Sequence, residues 1–157
     1  MPSTDFFYAL EGKSLYKCFV TDKALSGAKV ASNMYDDNSV TPYYGAFGLL
    51  GLILGRMAAK RVKRKRDEKE SLYDTIEPGS QTFLAADKAN FSWTGFSISQ
   101  VIAREKASGI KAVVRPFPLL QVNLTDGTQR KFVLVNLKAP DSVMELITKI
   151  TPNVSVE

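Results

Sequence analysis

Three short runs rich in apolar residues, the first two also rich in aromatic ones, precede residue 32, and runs of this length bounded by turn residues predict β-strands. The three runs are 6–10, 14–21 and 24–31. Glu11-Gly12-Lys13 separates the first two runs, and a glycine between charged residues suits the tight turn of a hairpin. The sequence therefore predicts antiparallel strands at the start of the chain.

A second group of apolar runs follows residue 81 and predicts further strands. The clearest is a hairpin over 121–137, in which two apolar runs flank Asp126-Gly127, a dipeptide that favours tight hairpin turns. The other runs are shorter or contain proline, and they predict strands at 82–86, 89–93, 96–105 and 111–123.

The last predicted element is an amphipathic helix. Val143, Leu146, Ile147 and Ile150 follow one another at the three- and four-residue spacing of one helical face. The preceding Pro140-Asp141-Ser142 supplies a helix start. We predict that this face packs on the sheet, so the expected fold class is mainly β with α: an antiparallel sheet capped by a C-terminal helix.

The middle of the chain has a different pattern, because residues 38–55 contain no charged residue. If 43–66 is helical, the glycines fall within about one third of the circumference; they are Gly45, Gly48, Gly51 and Gly55. Bulky apolar residues gather on the opposite side, namely Phe47, Leu50, Ile53, Leu54 and Met57. Glycines at this density cost a water-exposed helix on the order of 4 kcal/mol relative to alanine, so close packing or an apolar medium must offset them.

We predict that the bulky side of this helix anchors the chain to a membrane and that the glycine side packs against another helix. A full span needs about 20 mostly apolar residues. Because 40–55 supplies sixteen, a shallow or re-entrant helix is considered beside a short span. The alternative is a helix of the domain core whose glycines meet a neighbouring sheet.

A run of cations follows the apolar segment directly and contains no acidic residue. It comprises Arg56, Lys60, Arg61, Lys63, Arg64, Lys65 and Arg66. Removing these seven from the 21 Lys and Arg of the chain leaves 14, against 16 Asp and Glu, so the basicity is local. Each cation beside a membrane contributes roughly 1 kcal/mol of attraction to anionic lipid. We therefore predict that this run binds anionic lipid or another polyanion.

Composition excludes several kinds of active site. At 157 residues, with 45% apolar and 24% charged residues, the chain is predicted to form a single globular domain, 1–157. It has no histidine, and its single cysteine, Cys18, lies in an apolar run that predicts burial. Asp36-Asp37 and Asp67-Glu68 lie in polar stretches and are interpreted as solvated charges. We therefore expect no enzyme activity, no cofactor and no metal site.

Several segments resemble the pleckstrin-homology-like (PH-like) and GRAM-like domains of bacteria. Residues 16–25, YKCFVTDKAL, are similar to the strand and turn of these domains that carry the residues TDK. Residues 119–136, LLQVNLTDGTQRKFVLVN, with the following 141–150, are similar to their last two strands and C-terminal helix. Residues 91–101, FSWTGFSISQV, resemble the entry to one of their middle strands.

The resemblance covers 6–31 and 82–150, and it implies a PH-like antiparallel barrel or roll capped by the C-terminal helix. The barrel would then comprise 6–31 plus 71–151, and 40–70 would be an inserted apolar helix with its basic segment. Such a barrel implies a binding platform that performs no catalysis.

Together these patterns predict a non-enzymatic membrane-associated binding or scaffold module on the cytoplasmic side. The expected partners are an anionic membrane surface, an unidentified protein and a second copy of the chain. One alternative is a nucleic-acid-binding protein that uses the 56–66 run on phosphates. Another is a homo-oligomeric assembly protein that packs through the glycine side of its helix. The neighbouring apolar segment has no role on DNA or RNA, which favours the membrane interpretation over the nucleic-acid alternative.

Overall fold

The computed structural model describes residues 5–32, 48–104, 118–135 and 140–156; for 48–59, 135, 140 and 141 it describes the backbone without the side chains. The helices are α1 (Gly48–Thr75), α2 (Gln81–Ala86) and α3 (Pro140–Thr148), with a 3-10 turn at Gly95–Ser97. The strands of these ranges are β1 (Asp5–Glu11), β2 (Ser14–Val20), β3 (Ala24–Ser32), β4 (Phe91–Thr94), β5 (Ile98–Arg104), β6 (Leu119–Leu124), β7 (Gln129–Val135) and β8 (Val154–Val156).

The strands of the described ranges form one eight-stranded sheet in the order β4-β3-β2-β1-β7-β6-β5-β8. Neighbouring strands are antiparallel, except that β8 runs parallel to β5. The sheet is open, with β4 and β8 at its edges. Both edge strands are short, four and three residues, which limits the backbone available for pairing with another chain. The prediction of a mainly β chain with helices is confirmed, whereas a closed barrel is not observed among the described strands.

The inner face of the sheet holds the main core and is covered by α3. Val143, Met144, Leu146 and Ile147 of α3 are buried among apolar side chains from seven strands; these include Phe7, Ala9, Tyr16, Cys18, Leu25, Phe91, Ile98, Val101, Leu120, Val122 and Phe132. The predicted amphipathic helix and its packing on the sheet are therefore confirmed. The predicted hairpin at Asp126-Gly127 is confirmed as well, and Gly127 supplies the positive φ of 88° that the turn requires.

The outer face of β2 and β3 is also apolar and is covered by the end of α1 and by α2. Phe19, Ala28 and Val30 of the sheet pack with Tyr73 and Phe83 of the helices. Because both faces of β2 and β3 are buried against apolar residues, the sequences of these strands do not alternate strictly between apolar and polar residues.

Two sequence-based predictions about the helices are wrong in detail. The run 82–86 forms the helix α2 instead of a strand, because Ser80 accepts a hydrogen bond from the Phe83 N–H at 3.2 Å and caps its first turn. The helix predicted to end at Arg66 continues to Thr75, because contacts with the sheet hold its last two turns. Of the strand predicted at 111–123, only the part from Leu119 is observed as β6, and 111–117 lies outside the described residues.

The packing of α3 can be tested with two alanine substitutions on opposite sides of the helix. Ile147 is fully buried, so Ile147→Ala removes buried methyl and methylene groups and should cost about 2–5 kcal/mol of unfolding free energy. Glu145 is exposed on the same helix, and Glu145→Ala should change stability by less than about 0.5 kcal/mol. Urea unfolding measures both values, and equal effects of the two substitutions would contradict the packing.

Candidate functional site

The clearest candidate for binding is a run of exposed cations on α1, which we name the basic segment, residues 60–65. Its five cations, Lys60, Arg61, Lys63, Arg64 and Lys65, are all exposed. Arg64 pairs with Glu68 at 3.2 Å, but both side chains are largely in solvent. An exposed pair of this kind contributes little to stability and can be exchanged for another anion.

The remaining predicted site residues are only partly described. Gly45 and Phe47 lie outside the described residues. Gly48, Gly51 and Gly55 belong to α1. The same helix contains Leu50, Ile53, Leu54, Arg56 and Met57, for which the structure describes the backbone alone. Their anchoring and packing roles stay predictions. Within the described residues, no helix combines the length and the apolar content needed to cross a bilayer.

Arg66 differs from the cations that precede it, because it faces the sheet. Its Nε donates a hydrogen bond of 2.6 Å to Glu70 Oε1, and its guanidinium lies 5.1 Å from the centre of the Tyr8 ring. Glu70 Oε2 in turn accepts a hydrogen bond of 2.7 Å from the Tyr8 hydroxyl. Arg66 was predicted to belong to the polyanion-binding run, and that role stays a prediction; the structure places it among contacts that hold α1 on β1.

Lys17 on β2 forms the next contact with α1. Only 4% of the residue is exposed, which is rare for a lysine. Its Nζ donates a hydrogen bond of 2.6 Å to Asp74 Oδ1 and lies 4.4 Å from the centre of the Phe6 ring. The carboxylate and the ring face offset the cost of removing the ammonium group from water. Asp74 is therefore the partner that permits a lysine at this position.

Tyr73 is the apolar centre of the same contact. Its ring packs edge-on against Phe83 of α2, with centroids 5.4 Å apart. Asn90 connects these rings to β3: its Nδ2 donates to the Tyr73 hydroxyl at 3.0 Å and to the Phe83 carbonyl at 2.7 Å, and its Oδ1 accepts from the Lys29 N–H at 2.9 Å. Residues 66–76 are thus fixed on the sheet, and we name them the docked segment.

A second charged cluster lies on the inner face of the sheet and was not predicted from the sequence. The guanidinium of Arg130 on β7 forms a two-pronged ion pair with Glu11 on β1. Four aromatic rings surround the same guanidinium with centroids 4.8–5.9 Å away: Tyr16, Phe91, Trp93 and Phe132. Burial works to lower the pKa of Arg130, but the pairing with Glu11 outweighs it and raises the pKa. The charge of Arg130 is therefore already neutralised within the fold.

The described residues offer few side chains that could take part in catalysis or bind a metal ion. No group of three His, Cys, Asp or Glu within the described ranges could hold a metal ion. Cys18 is fully buried, and desolvation raises the pKa of its thiol well above the ordinary range. A protonated, inaccessible thiol is a poor nucleophile, which agrees with its interpretation as a core residue.

Tyr8 provides a pH test of the docked segment. Burial, followed by the hydrogen bond to Glu70, raises the pKa of Tyr8 from 10.0 to about 12. The raised pKa means that the folded state favours the neutral phenol. The stability that Tyr8 contributes in this way is therefore complete below pH 10 and is lost as the pH rises towards 12. We expect Tyr8→Phe to make stability fall less steeply across this interval than in the wild type, as measured by urea unfolding.

The same variant should lose about 1 kcal/mol near neutral pH, where the phenol is protonated in both states and only the hydrogen bond is missing. The neutral-pH measurement thus separates the hydrogen bond from the titration. Parallel pH profiles for the two proteins would show that Tyr8 is not held as described.

No protein-family model matches the chain, and no curated protein matches its sequence. Its function therefore has to be argued from the geometry of the described residues and from the sequence pattern.

Proposed function

We propose that this chain is a non-enzymatic, membrane-associated binding module that uses its basic segment to attract an anionic membrane surface. The observation that carries the proposal is the exposure of five cations within six residues of one helix. A segment without any charged residue, 38–55, precedes these cations. A bilayer surface presents an anionic layer and an apolar layer within a short distance, and these two segments match that order.

Two of the four acids that follow the basic segment on α1 are paired with cations outside that segment. Glu70 and Asp74 lie against the sheet, where Arg66 and Lys17 pair with them. Asp67 and Glu68 remain exposed and offset part of the charge. With roughly 1 kcal/mol for each cation beside an anionic surface, the five exposed cations supply attraction on the order of 5 kcal/mol before that offset.

The arrangement of the sheet supports the finer fold interpretation, a PH-like roll. Strands β1 to β4 follow one another across one half of the sheet, β5 to β7 follow one another across the other half, and α3 covers the inner face. The resemblance of 6–31 and 82–150 implies antiparallel strands followed by a capping C-terminal helix, and this order of elements agrees with it. In such a roll the sheet is a rigid platform, and the docked segment holds the basic segment at a defined place on it.

The role of the basic segment can be tested with two variants of equal charge. One variant changes its five cations to glutamine: Lys60, Arg61, Lys63, Arg64 and Lys65. The control changes five exposed lysines elsewhere to glutamine: Lys13, Lys23, Lys88, Lys131 and Lys149. Because the formal net charge of the chain is +5, both variants are neutral overall. A difference between them therefore reports where the charge lies.

We expect the basic-segment variant to bind phosphatidylcholine vesicles containing phosphatidylserine at least about 100-fold more weakly than the wild type. The control should lose much less, and binding to pure phosphatidylcholine should be similar for all three proteins. Cosedimentation measures the affinities. Equal losses in the two variants would contradict the proposal, and tight binding to duplex DNA without vesicle binding would favour the nucleic-acid alternative.

A further inference from the structure

The charged cluster on the inner face of the sheet has the chemistry of a cation-binding site. A carboxylate and four aromatic rings surround one guanidinium group, and we name the five surrounding residues the cage: Glu11, Tyr16, Phe91, Trp93 and Phe132. The face of an aromatic ring attracts a cation, and a carboxylate matches the two-pronged hydrogen-bonding geometry of a guanidinium. Aromatic cages also recognise alkylated ammonium groups.

The walls of the cage are held by one another, independently of the guanidinium. The ring of Phe91 stacks on Trp93 with centroids 4.0 Å apart. The ring of Tyr16 meets Phe132 edge-on, with 6.2 Å between the centroids. Gly27 leaves room for Phe91, since a Cβ atom at Gly27 would lie 2.2 Å from the ring. The cage is therefore preformed, because its rings take their positions from these contacts.

Arg130 reaches the cage from a strand that is distant in the sheet. Three strands, β3, β2 and β1, separate β7 from β4, and at about 4.8 Å for each strand spacing a flat sheet would keep the two about 19 Å apart. The guanidinium of Arg130 nevertheless lies 4.8 Å from the centre of the Phe91 ring and 5.2 Å from that of Trp93, both on β4. The sheet therefore curls towards this contact, and Arg130 joins the edge strand β4 to the centre of the sheet.

The cage is accessible to water on one side. The side chain of Arg130 is 23% exposed, that of Glu11 is 29% exposed, and Trp93 is half-buried. Replacing a buried ion pair by apolar residues often leaves stability unchanged, so packing alone does not require a charge at this place. A cation is selected here by the carboxylate and the ring faces. These are features of the cage and not of the strand that supplies the cation.

We propose that the cage is a cation-binding site, that Arg130 is the ligand which the chain itself supplies, and that guanidinium and alkylated ammonium groups are the class of ligand it takes. The resident arginine keeps the site occupied, so an external cation binds only by displacing it. A tethered ligand competes at a high effective concentration, which makes the wild-type site weak towards free cations. The site does not depend on the proposed membrane function.

A variant with an empty cage tests the proposal. Arg130→Ala removes the resident ligand, and the probes are methylguanidinium and methylurea, which have nearly the same shape but differ in charge. Trp93 is the only tryptophan of the chain, so its fluorescence reports directly on the cage. Lys131→Ala is the matched control, because it removes one cation from the next position of β7, where Lys131 is exposed.

We expect methylguanidinium at about 20 mM to raise the melting temperature of the Arg130→Ala protein by at least about 3 °C and to change its Trp93 fluorescence. Methylurea at the same concentration should do neither, because it lacks the charge. The wild type and the Lys131→Ala protein should bind methylguanidinium at least about tenfold more weakly, because Arg130 fills their cage.

The outcomes separate a cation site from an ordinary cavity. A folded Arg130→Ala protein that does not respond to methylguanidinium, or that responds equally to methylurea, overturns the proposal. An equal response in the Lys131→Ala protein places the binding elsewhere and overturns it as well. If the Arg130→Ala protein does not fold alone, recovery of its circular dichroism spectrum in methylguanidinium but not in methylurea supports the cage, and failure to recover contradicts it. Vesicle binding by these variants bears on the membrane function alone.

Discussion

The charge of a buried lysine is the constraint on which the placement of α1 depends. Lys17 lies in the middle of β2, between aromatic rings, with almost no access to water. An ammonium group in such a place is stable only if an anion reaches it, and Asp74 of α1 is that anion. Tyr73, next to Asp74, fills the apolar space beside the pair. The two neighbouring residues therefore fix both the position and the rotation of the helix.

The fixed rotation has a consequence for the charges along α1. Arg66 and Glu70 belong to the side that faces the sheet, and they neutralise each other beside Tyr8. The five cations of the basic segment stay exposed instead. One helix thus contains a segment whose charges serve folding and a segment whose charges remain available to a partner. The boundary lies between Lys65 and Arg66, although the sequence is uniformly basic across it.

The inner face of the sheet accommodates a second partly buried charge. Arg130 and Glu11 meet where β1 ends and β7 begins, and the rings of Phe91 and Trp93 cover the guanidinium. Gly27 lies beneath Phe91, where any side chain would collide with the ring. Because this arginine is already paired, it is not a free anion-binding group within the sheet. The exposed cations of α1 are therefore the better candidate for a charged partner.

The sequence alone determined the local elements, since short apolar runs separated by turn residues predicted β1, β2 and β3, Asp126-Gly127 predicted the last hairpin, and a four-residue stripe predicted α3. These patterns depend on neighbours along the chain. Tertiary structure decided what depends on distant residues: Lys17 and Asp74 are 57 positions apart, and Glu11 and Arg130 are 119 apart. The strand predicted at 82–86 became a helix because a short apolar run fits both forms until Ser80 caps it and the outer core receives Phe83. The side of the docked segment that faces the sheet is likewise determined by the pairing of Lys17 with Asp74 and by no pattern along the chain.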